Sequence, residues 1–335
     1  MNDIMKKFDK IAPMISNTPL LEIEFMYKGE KRKIYAKAEY YNLTGSIKDR
    51  VALYIMKKAY EQGRIQPGDI IAEATSGNTG IAFCAMGTYL GHKVVIYMPD
   101  WMSRERINLM KSYGAEVRLV SREEGGFLGS IAMTEKLAEG GGVFLPGQFS
   151  NVENVYAHYY DTGAEIIEQF KKLGVTPHAV VAGVGTGGTV MGITKRLRDE
   201  YPGFKGYPLE PLNSPTLSTG YKVGSHRIQG ISDEFIPDIL KLSELDDVIS
   251  VDDGDSVIMA QMLSQKLGIG VGISSGANML GCILAQEKLG SDANIVTVFA
   301  DDNKKYLSTD YSEKQEVKEG YLTNDIELLG FKSIR

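Results

Sequence analysis

Residues 183–189 (GVGTGGT) follow a continuous apolar stretch and directly precede a helical pattern. Glycines in such a turn let the backbone approach an anion closely, so that exposed N–H groups and the positive end of the next helix can bind it. Thr186 and Thr189 add hydroxyl donors. The pattern predicts a turn that binds a phosphate group.

Two other interpretations of this turn stay open on these residues alone. Gly183, Gly185 and Gly188 also match the dinucleotide pattern GxGxxG, although the acidic residue expected about 20 positions later is not clearly placed. A tight strand-to-helix turn without any ligand would need the same glycines. The turn by itself therefore does not decide between a phosphate, a dinucleotide and no ligand.

A second polar turn lies at residues 75–80 (TSGNTG), again between an apolar stretch and a helical pattern. Thr, Ser and Asn are good helix N-caps, but one helix needs only one such cap. Thr75, Ser76, Asn78 and Thr79 exceed that need. The excess favours a ligand carboxylate bound at the start of the helix over simple capping.

Lys48 lies in a third run, residues 44–50 (TGSIKDR), in the first turn of an amphipathic helical pattern. A cation next to the positive end of a helix is disfavoured by roughly a few tenths of a kcal/mol or more. Loss of that charge, for example as a Schiff base with an aldehyde, explains the position better than an ordinary surface lysine does. A fourth turn, residues 274–277 (SSGA), precedes another helical pattern.

The elements that position these turns alternate between short apolar stretches and longer amphipathic ones. Continuous apolar stretches are typical of strands buried on both faces of a parallel sheet. They predict strands at residues 69–74, 93–98, 115–120, 179–184 and 295–300. The amphipathic segments predict helices at residues 48–62, 78–90, 103–113 and 190–201. The alternation indicates a doubly wound α/β fold.

The chain has 335 residues, of which 43% are hydrophobic, and a formal net charge of −6. These values indicate a folded, soluble protein and argue against nucleic-acid binding through bulk positive charge. No apolar run is long enough for a membrane span and no secretory leader is visible, so we expect no membrane partner and a cytoplasmic location. The two cysteines and four histidines lack metal-site spacing, so we expect no metal.

The four turns together resemble those of the pyridoxal-phosphate (PLP) enzymes of fold type II, the β-family, and within it cysteine synthase and the catalytic core of cystathionine β-synthase. Matching motifs at residues 17–20 (NTPL), 228–231 (IQGI) and 306–308 (YLS) extend the resemblance over nearly the whole chain. It implies two doubly wound α/β domains with the cofactor between them. The smaller, mobile domain would comprise residues 46–154. The larger domain, residues 1–45 plus 155–335, would carry the phosphate-binding loop.

The resemblance also implies a role for each matching residue. Lys48 would hold PLP as an internal aldimine and move the α-proton of the substrate. Asn78 would hydrogen-bond the ring hydroxyl of the cofactor, and Ser274 its pyridine nitrogen. The cofactor phosphate would lie on Gly185, Thr186, Gly187, Gly188 and Thr189. The substrate, with its α-carboxylate, would bind at Thr75, Ser76, Gly77, Thr79, Gln148 and Gly230.

The expected chemistry follows from a serine at the pyridine nitrogen. A hydroxyl does not hold a proton on that nitrogen as a carboxylate would, so the ring is a weaker electron sink and a long-lived carbanion is disfavoured. Loss of a β-substituent as the α-proton departs is then the easier route. The resemblance implies β-elimination or β-replacement on a β-substituted L-alanine through an aminoacrylate intermediate, as when cysteine synthase joins O-acetylserine and sulfide. Serine and threonine dehydratases, with a Ser-Phe-Lys core, and tryptophan synthase β chains, with a His-Lys core, fit worse.

One segment departs from the family pattern. Cysteine synthases typically read Gly-Ile-Gly-Ala-Gly after the equivalent of Ile228 and Gln229, whereas this chain reads GISDE at residues 230–234. Asp233 and Glu234 thus replace small neutral residues near the mouth of the expected site. One interpretation is that these acids face solvent. The other is that an acid positions a water or binds the ammonium group of a second amino acid, and disfavours hydrosulfide as the nucleophile.

The candidate catalytic residues are therefore Ser46, Lys48, Asp233 and Glu234. The direction of the reaction stays open between cysteine synthesis and release of sulfide from cysteine. In the second case water would give L-serine and a second cysteine would give L-lanthionine, and a cystathionine β-synthase type of reaction is a further alternative.

The family resemblance implies small amino-acid substrates and a homodimer, with serine acetyltransferase as a candidate partner. A hypothesis of another class is a non-catalytic PLP-binding partner or sensor. Such a protein could lose Lys48 without harm, yet Lys48 is present together with the whole cofactor set.

Overall fold

A computed structural model describes residues 2–232 and 235–335, so the predicted acids Asp233 and Glu234 lie outside the described residues. In the described part the helices are α1 (Asn2–Ile11), α2 (Lys48–Glu61), α3 (Asn78–Leu90), α4 (Arg104–Ser112), α5 (Gly126–Ala138), α6 (Glu153–Ala157), α7 (Gly163–Leu173), α8 (Gly188–Glu200), α9 (Thr216–Thr219), α10 (Asp253–Leu267) and α11 (Ile273–Leu289). The strands are β1 (Leu20–Tyr27), β2 (Glu30–Ala38), β3 (Ile70–Ala74), β4 (Val94–Pro99), β5 (Glu116–Val120), β6 (Val143–Phe144), β7 (Ala179–Gly183), β8 (Lys205–Pro211), β9 (Ile249–Val251), β10 (Ile295–Phe299) and β11 (Ile326–Ile334).

The strands form two sheets. The smaller sheet has the order β5-β4-β3-β6 and all its pairs are parallel. The larger sheet has the order β11-β1-β2-β10-β7-β8-β9, in which β1 pairs antiparallel with β2 and β11 and the remaining pairs are parallel. The predicted α/β fold and each predicted strand are confirmed, with ends that agree to about one residue.

The antiparallel strands β1, β2 and β11 were not predicted from the sequence. β1 and β2 carry charged residues among the apolar ones and form a hairpin, so they lack the continuous apolar character of the parallel strands. Lys28 and Gly29 connect them with φ angles of +49° and +79°. Positive φ at both central residues is what a tight turn between right-handed twisted strands requires.

Both faces of the larger sheet are buried, which explains its apolar strands. On β7, Ala179 and Val181 pack into a core with α10 and α11, whereas Val180 and Ala182 pack into a second core with α7 and α8. Successive side chains of a strand point to opposite faces, so a strand covered on both faces must be apolar throughout.

The smaller sheet packs on one face against α2 and α3, and Phe8 of α1 joins that core. Its strands all lie within residues 46–154, and the extent of the smaller domain stays a prediction. Within residues 2–232 and 235–335, no helix combines the length and the apolar character that a membrane crossing requires.

Candidate active site

A cavity between the two sheets brings most of the predicted site residues together. Its wall includes Lys48 at the start of α2, Ser274 at the start of α11 and Gly230 from the segment before Asp233. The remaining predicted residues in the wall are Thr75, Ser76, Gly77, Asn78, Thr79, Gln148, Gly185, Thr186, Gly187 and Thr189. Gly188 is the first residue of α8, directly after the wall residue Gly187, and Ser46 is fully buried two positions before Lys48.

The turn between β7 and α8 is a cradle too tight for side chains. Gly187 has a φ of +86°, in the left-handed region that glycine adopts most easily. A Cβ at Gly185 would overlap the carbonyl oxygen of Gly230, and a Cβ at Gly188 would overlap the side-chain oxygen of Asn154. Thr186 Oγ1 accepts the Gly188 N–H at 3.3 Å. The turn therefore presents backbone N–H groups at the positive end of a helix of 13 residues, as an anion site requires.

Lys48 is half-buried at the first position of α2, where the preceding turn is held by hydrogen bonds. Asp49 accepts the Thr44 N–H at 2.8 Å and the Thr44 hydroxyl at 2.7 Å. The Ser46 hydroxyl accepts the Lys48 N–H at 3.3 Å. Burial raises the pKa of Asp49 to about 6. The hydrogen bonds of Asp49 and Ser46 fix the point at which the Lys48 side chain leaves the backbone.

The helix that carries Lys48 is anchored by a buried cation. Arg50 is fully buried and pairs with the equally buried Glu39, with Nε 2.7 Å from Oε2. Its Nη1 lies 2.7 Å from Oε1 of Glu165 at the start of α7. A buried guanidinium left without its partners costs several kcal/mol in order of magnitude, so these pairs hold the orientation of α2 firmly.

His158 lies behind both Lys48 and the cradle, although no motif in the sequence singles it out. The ring is fully buried, with Nε2 3.3 Å from Thr189 Oγ1 and Nδ1 3.0 Å from Thr162 Oγ1. Burial, assisted by the charges of Lys48 and Arg50, holds the pKa of His158 well below its usual 6.5. A neutral imidazole therefore supports the cradle from behind.

The polar turn before α3 does not cap its helix with a side chain. Gly77 is the N-cap, and its N–H donates to Thr75 Oγ1 at 3.1 Å. Thr79 donates its hydroxyl to Gln148 Oε1 at 2.6 Å, and Gln148 Nε2 donates to the carbonyl of Ala74 at 3.0 Å. The capping interpretation is therefore wrong for this helix. Its side chains tie the turn to Gln148, which shares the same cavity wall.

Asn78 provides a buried acceptor at the cavity wall. Its Nδ2 donates to Asp301 Oδ2 at 2.7 Å, while its Oδ1 is buried with no hydrogen-bond partner among the described residues. Tyr306 donates its hydroxyl to the same Asp301 oxygen at 2.8 Å. A buried carbonyl oxygen without a donor is costly, so a ligand hydroxyl is the natural partner for Asn78.

Arg106 was not predicted and joins parts of the chain that are distant in sequence. It is buried on α4, donates to Gln229 Oε1, and lies over the ring of Tyr306 with Cζ 4.7 Å from the ring centre. All three side chains line the cavity. Arg106 therefore links a helix of the smaller sheet to two segments of the larger unit at the edge of the site.

Glu73, a charged residue inside the apolar stretch of β3, lies directly behind the polar turn. Its Oε1 accepts the backbone N–H of Ala74 at 3.2 Å, and its Oε2 is buried with no hydrogen-bond partner among the described residues. Burial raises the pKa of Glu73 to about 8. A charge in an otherwise apolar strand is the sequence feature that could have drawn attention to it.

Ser274 is buried at the second position of α11. The hydroxyl of its neighbour Ser275 accepts the Ala300 N–H at 3.1 Å. Asn278, one turn further along α11, accepts the Gly183 N–H at 2.8 Å and donates to the Val298 carbonyl at 2.7 Å. These contacts hold the start of α11 against the ends of β7 and β10, beside the cradle.

The model of the pyridoxal-phosphate-dependent enzymes matches residues 11–301. The chain belongs to the pyridoxal-phosphate-dependent enzyme family. The predicted resemblance is confirmed, and PLP is the cofactor of this family.

The relatives of this chain indicate its reaction class. A cysteine synthase of Staphylococcus aureus is 40% identical over 304 residues, which cover 91% of this chain and 97% of the relative. A solved hydrogen sulfide-producing enzyme from Fusobacterium nucleatum is 59% identical, with a TM-score of 0.96 and coverage of 99% of both chains. A variant of that enzyme, with one aspartate changed to asparagine, was solved with an α-aminoacrylate intermediate; it is 60% identical, with a TM-score of 0.95 and coverage of 97% of both chains.

The chain is therefore a PLP-dependent enzyme of the cysteine synthase type. Its reaction class is β-replacement or β-elimination on small amino-acid substrates in cysteine metabolism, as the resemblance implied. The alternative of a non-catalytic binding protein is set aside by these relatives, and the dinucleotide interpretation of the glycine turn is set aside by the family.

The residues of this chain fit PLP. The cradle excludes side chains where a phosphate would lie, Asn78 Oδ1 offers a buried acceptor for a ring hydroxyl, and Lys48 is in the same cavity wall. Ser274 is placed at the same wall with a hydroxyl that suits a pyridine nitrogen. Among the described residues no group of histidine, cysteine, aspartate and glutamate could hold a metal ion.

Proposed function

We propose that the enzyme releases hydrogen sulfide from L-cysteine and adds water to the β-carbon, giving L-serine. The observation that carries this proposal is the acidic pair. Gly230 and Ile231 line the cavity, and Asp233 and Glu234 follow within three residues, where cysteine synthases have small neutral residues. The identity of 59% to a sulfide-producing enzyme, against 40% to a cysteine synthase, supports the same direction.

The proposed reaction balances as L-cysteine plus water to L-serine plus hydrogen sulfide. PLP, when bound, supplies an aldehyde that joins the substrate amine and a ring that withdraws electrons from the α-carbon. Lys48 Nζ takes the proton from the α-carbon, and the bond from the β-carbon to sulfur breaks, so that sulfur leaves with the electron pair as hydrosulfide. Water oxygen then bonds to the β-carbon, and the proton that this water loses converts hydrosulfide to hydrogen sulfide. Lys48 returns its proton to the α-carbon.

We propose that Asp233 acts on the attacking water. Its carboxylate would accept the proton of that water and repel hydrosulfide, the nucleophile that cysteine synthesis requires. If the aspartate replaced in the Fusobacterium variant acts after sulfide leaves, its loss would let the α-aminoacrylate of that structure accumulate. We propose the equivalent step for Asp233, with Glu234 as its neighbour.

The remaining roles follow the contacts around the cavity. We propose that the cradle Gly185, Thr186, Gly187, Gly188 and Thr189 holds the cofactor phosphate, with Asn78 at the ring hydroxyl and Ser274 at the ring nitrogen. The polar turn with Thr75, Ser76, Gly77 and Thr79 would hold the substrate carboxylate, beside Gln148 and Gly230. Ser46 would support Lys48 through its hydroxyl contact.

The test is a product analysis of the PLP-loaded enzyme with L-cysteine alone, and with O-acetylserine plus sulfide. We expect sulfide and serine in equal amounts from cysteine, at a faster rate than cysteine forms from O-acetylserine. Asp233→Asn should lower serine formation about 10²-fold to 10⁴-fold, as loss of a general base does. Glu234→Gln is the matched control, with a smaller effect.

Cysteine synthesis is the second candidate, favoured by the relative from Staphylococcus aureus, which is covered over 97% of its length. Rapid cysteine formation from O-acetylserine without sulfide release from cysteine alone would establish it and overturn our proposal. Lanthionine in place of serine would identify a second cysteine as the nucleophile, and cystathionine from added homocysteine would identify the remaining alternative.

We also propose a homodimer, a cytoplasmic location, closure of residues 46–154 over the substrate, and serine acetyltransferase as a candidate partner. The exposed ring of Tyr160 and the groove between Pro13 and Tyr54 offer an apolar surface for a second copy. Light scattering gives the molar mass of the purified enzyme alone, which tests the homodimer. The molar mass of its mixture with serine acetyltransferase tests the proposed complex.

A further inference from the structure

Arg106, the third residue of α4, is a buried cation without an anionic partner. The other buried lysines and arginines within residues 2–232 and 235–335 each lie 2.6–3.7 Å from a carboxylate oxygen, namely Arg32, Lys37, Arg50 and Lys305. Arg106 is only 2% exposed, yet it pairs with no acid in the same part of the chain. Burial of a charge is costly unless an opposite charge compensates it, so this exception indicates a place where an anion binds.

Neutral groups contact the Arg106 guanidinium but leave one of its donors without an acceptor. Nη1 donates to Gln229 Oε1 and, at 3.4 Å, to Ser103 Oγ. The guanidinium carbon lies 4.7 Å from the centre of the Tyr306 ring. Nε is buried and has no hydrogen-bond partner among the described residues. The side chain is therefore held in place, while a buried N–H group of a cation stays unpaired at a cost in free energy.

The unpaired donor adjoins the polar turn at residues 75–80. Arg106 lines the same cavity wall as Lys48 and residues 75–79. A Cβ at Gly77 would lie 2.5 Å from Nε and 2.6 Å from Cδ of Arg106, so the arginine packs directly on the backbone of this turn. Among the atoms around Gly77, Nε would be the nearest to such a Cβ. The donor without an acceptor is thus the atom of Arg106 that lies closest to the turn.

The polar turn itself offers hydroxyl, amide and backbone groups, none of which is charged. Among the described residues of the cavity wall, Lys48 and Arg106 are the charged ones. Lys48 exchanges a proton in the proposed reaction, so it is not a constant positive charge. A guanidinium keeps its charge, and its planar N–H groups match the geometry of a carboxylate. Arg106 therefore has the charge and the shape that a carboxylate ligand of this turn requires.

We propose that Arg106 binds the α-carboxylate of the amino-acid substrate at the polar turn. The inference rests on the proposed role of that turn, and it adds a cation to a set of neutral donors. It also makes Arg106 a specificity-determining residue, because an amino acid whose carboxylate is blocked as an amide loses the attraction between opposite charges. Gln229 and Tyr306 hold the side chain in the wall, and the substrate supplies the missing anion.

The test measures binding of L-alanine and of L-alaninamide to the PLP-loaded enzyme, from the change in cofactor absorbance during titration. Neither ligand has a β-substituent that can leave, so binding is measured without sulfide release. Arg106→Gln should weaken binding of L-alanine about 10-fold to 150-fold, as loss of a hydrogen bond to a charged group does. Binding of L-alaninamide should change by less than about twofold, because a neutral carbonyl gains little from the charge. Arg106→Lys keeps the charge without the planar fork, so its effect should lie between the two.

Gln229→Ala is the matched variant that separates the charge from the packing around it. It removes the acceptor of Nη1 and keeps the cation, so it should affect both ligands alike. Arg106→Gln should also retain PLP on dialysis as the parent enzyme does. Equal weakening of both ligands in Arg106→Gln would overturn the inference. So would loss of PLP, which would assign the arginine to the cofactor phosphate, or slower sulfide release with unchanged binding of L-alanine.

The parent enzyme tests the proposed role of the polar turn separately. If it binds L-alanine no more tightly than L-alaninamide, the turn does not bind a carboxylate, and that part of the proposed function fails. Preference of the parent for L-alanine that persists in Arg106→Gln would instead overturn only the role of the arginine. The two failures are therefore distinguishable.

Discussion

The cradle at residues 185–189 and the mouth segment at residues 228–232 are both held rigidly, but by different means. The cradle is shaped by packing, since Cβ atoms at Gly185 and Gly188 would overlap neighbouring atoms. The mouth segment is shaped by side-chain hydrogen bonds from His226 and from the hydroxyl of Ser232. A side chain added at Gly185 or Gly188 meets neighbouring atoms, whereas the mouth segment depends on hydrogen bonds that a substitution can remove one at a time. The two regions should therefore respond differently to substitution.

The largest expected effect is the loss of Lys48. Lys48→Ala removes the group that we propose moves the α-proton, so sulfide release from cysteine should fall by at least about 10³-fold. Borohydride treatment followed by peptide mapping should label Lys48 in the parent enzyme. A label on another residue would contradict the assignment of the whole cavity, cradle and mouth alike.

A substitution in the cradle should weaken cofactor binding. Gly188→Ala forces a methyl group onto the side chain of Asn154, and overpacking of this kind costs about 1–3 kcal/mol. We therefore expect PLP to bind about 5-fold to 150-fold more weakly, measured as cofactor absorbance retained after dialysis. Gly140→Ala, where no atom lies closer than 3.8 Å, is the control. Equal retention in both variants would mean that the cradle adapts, and the contrast with the mouth would fail.

The third expected effect concerns stability and not activity, and it depends on Glu73, behind the polar turn. Its pKa is raised by burial from 4.5 to about 8, so the folded state favours the protonated acid. Its contribution to stability is full below about pH 4.5 and is lost as the pH rises through about 8, at about 1.4 kcal/mol for each unit of pKa shift. Glu73→Gln should flatten the decline of Tm between about pH 5 and pH 9. An unchanged slope would show that Glu73 does not ionise in this range.

The sequence predicted the parts of the site that are local in the chain. The turns after β3 and β7 are short, and their composition alone indicates the ligands that we propose for them. Arg106 and Asp301 were missed because their partners are remote: Arg106 meets Gln229 across 123 positions and Asp301 meets Asn78 across 223. The positive φ of Ser232 leaves no trace in composition. The hairpin of β1 and β2 was missed because its charged residues hide the periodicity.

The carbonyl of Gly230 fills the space that a side chain at Gly185 would need. The entrance of the cavity thus packs directly against the turn that we propose binds the phosphate. An inserted residue in this segment would displace the Gly230 carbonyl toward the proposed phosphate site and weaken the binding of PLP. Exchange of the side chains that follow Gly230 would leave this carbonyl in place. New nucleophiles should therefore arise on this scaffold through point substitutions at constant loop length.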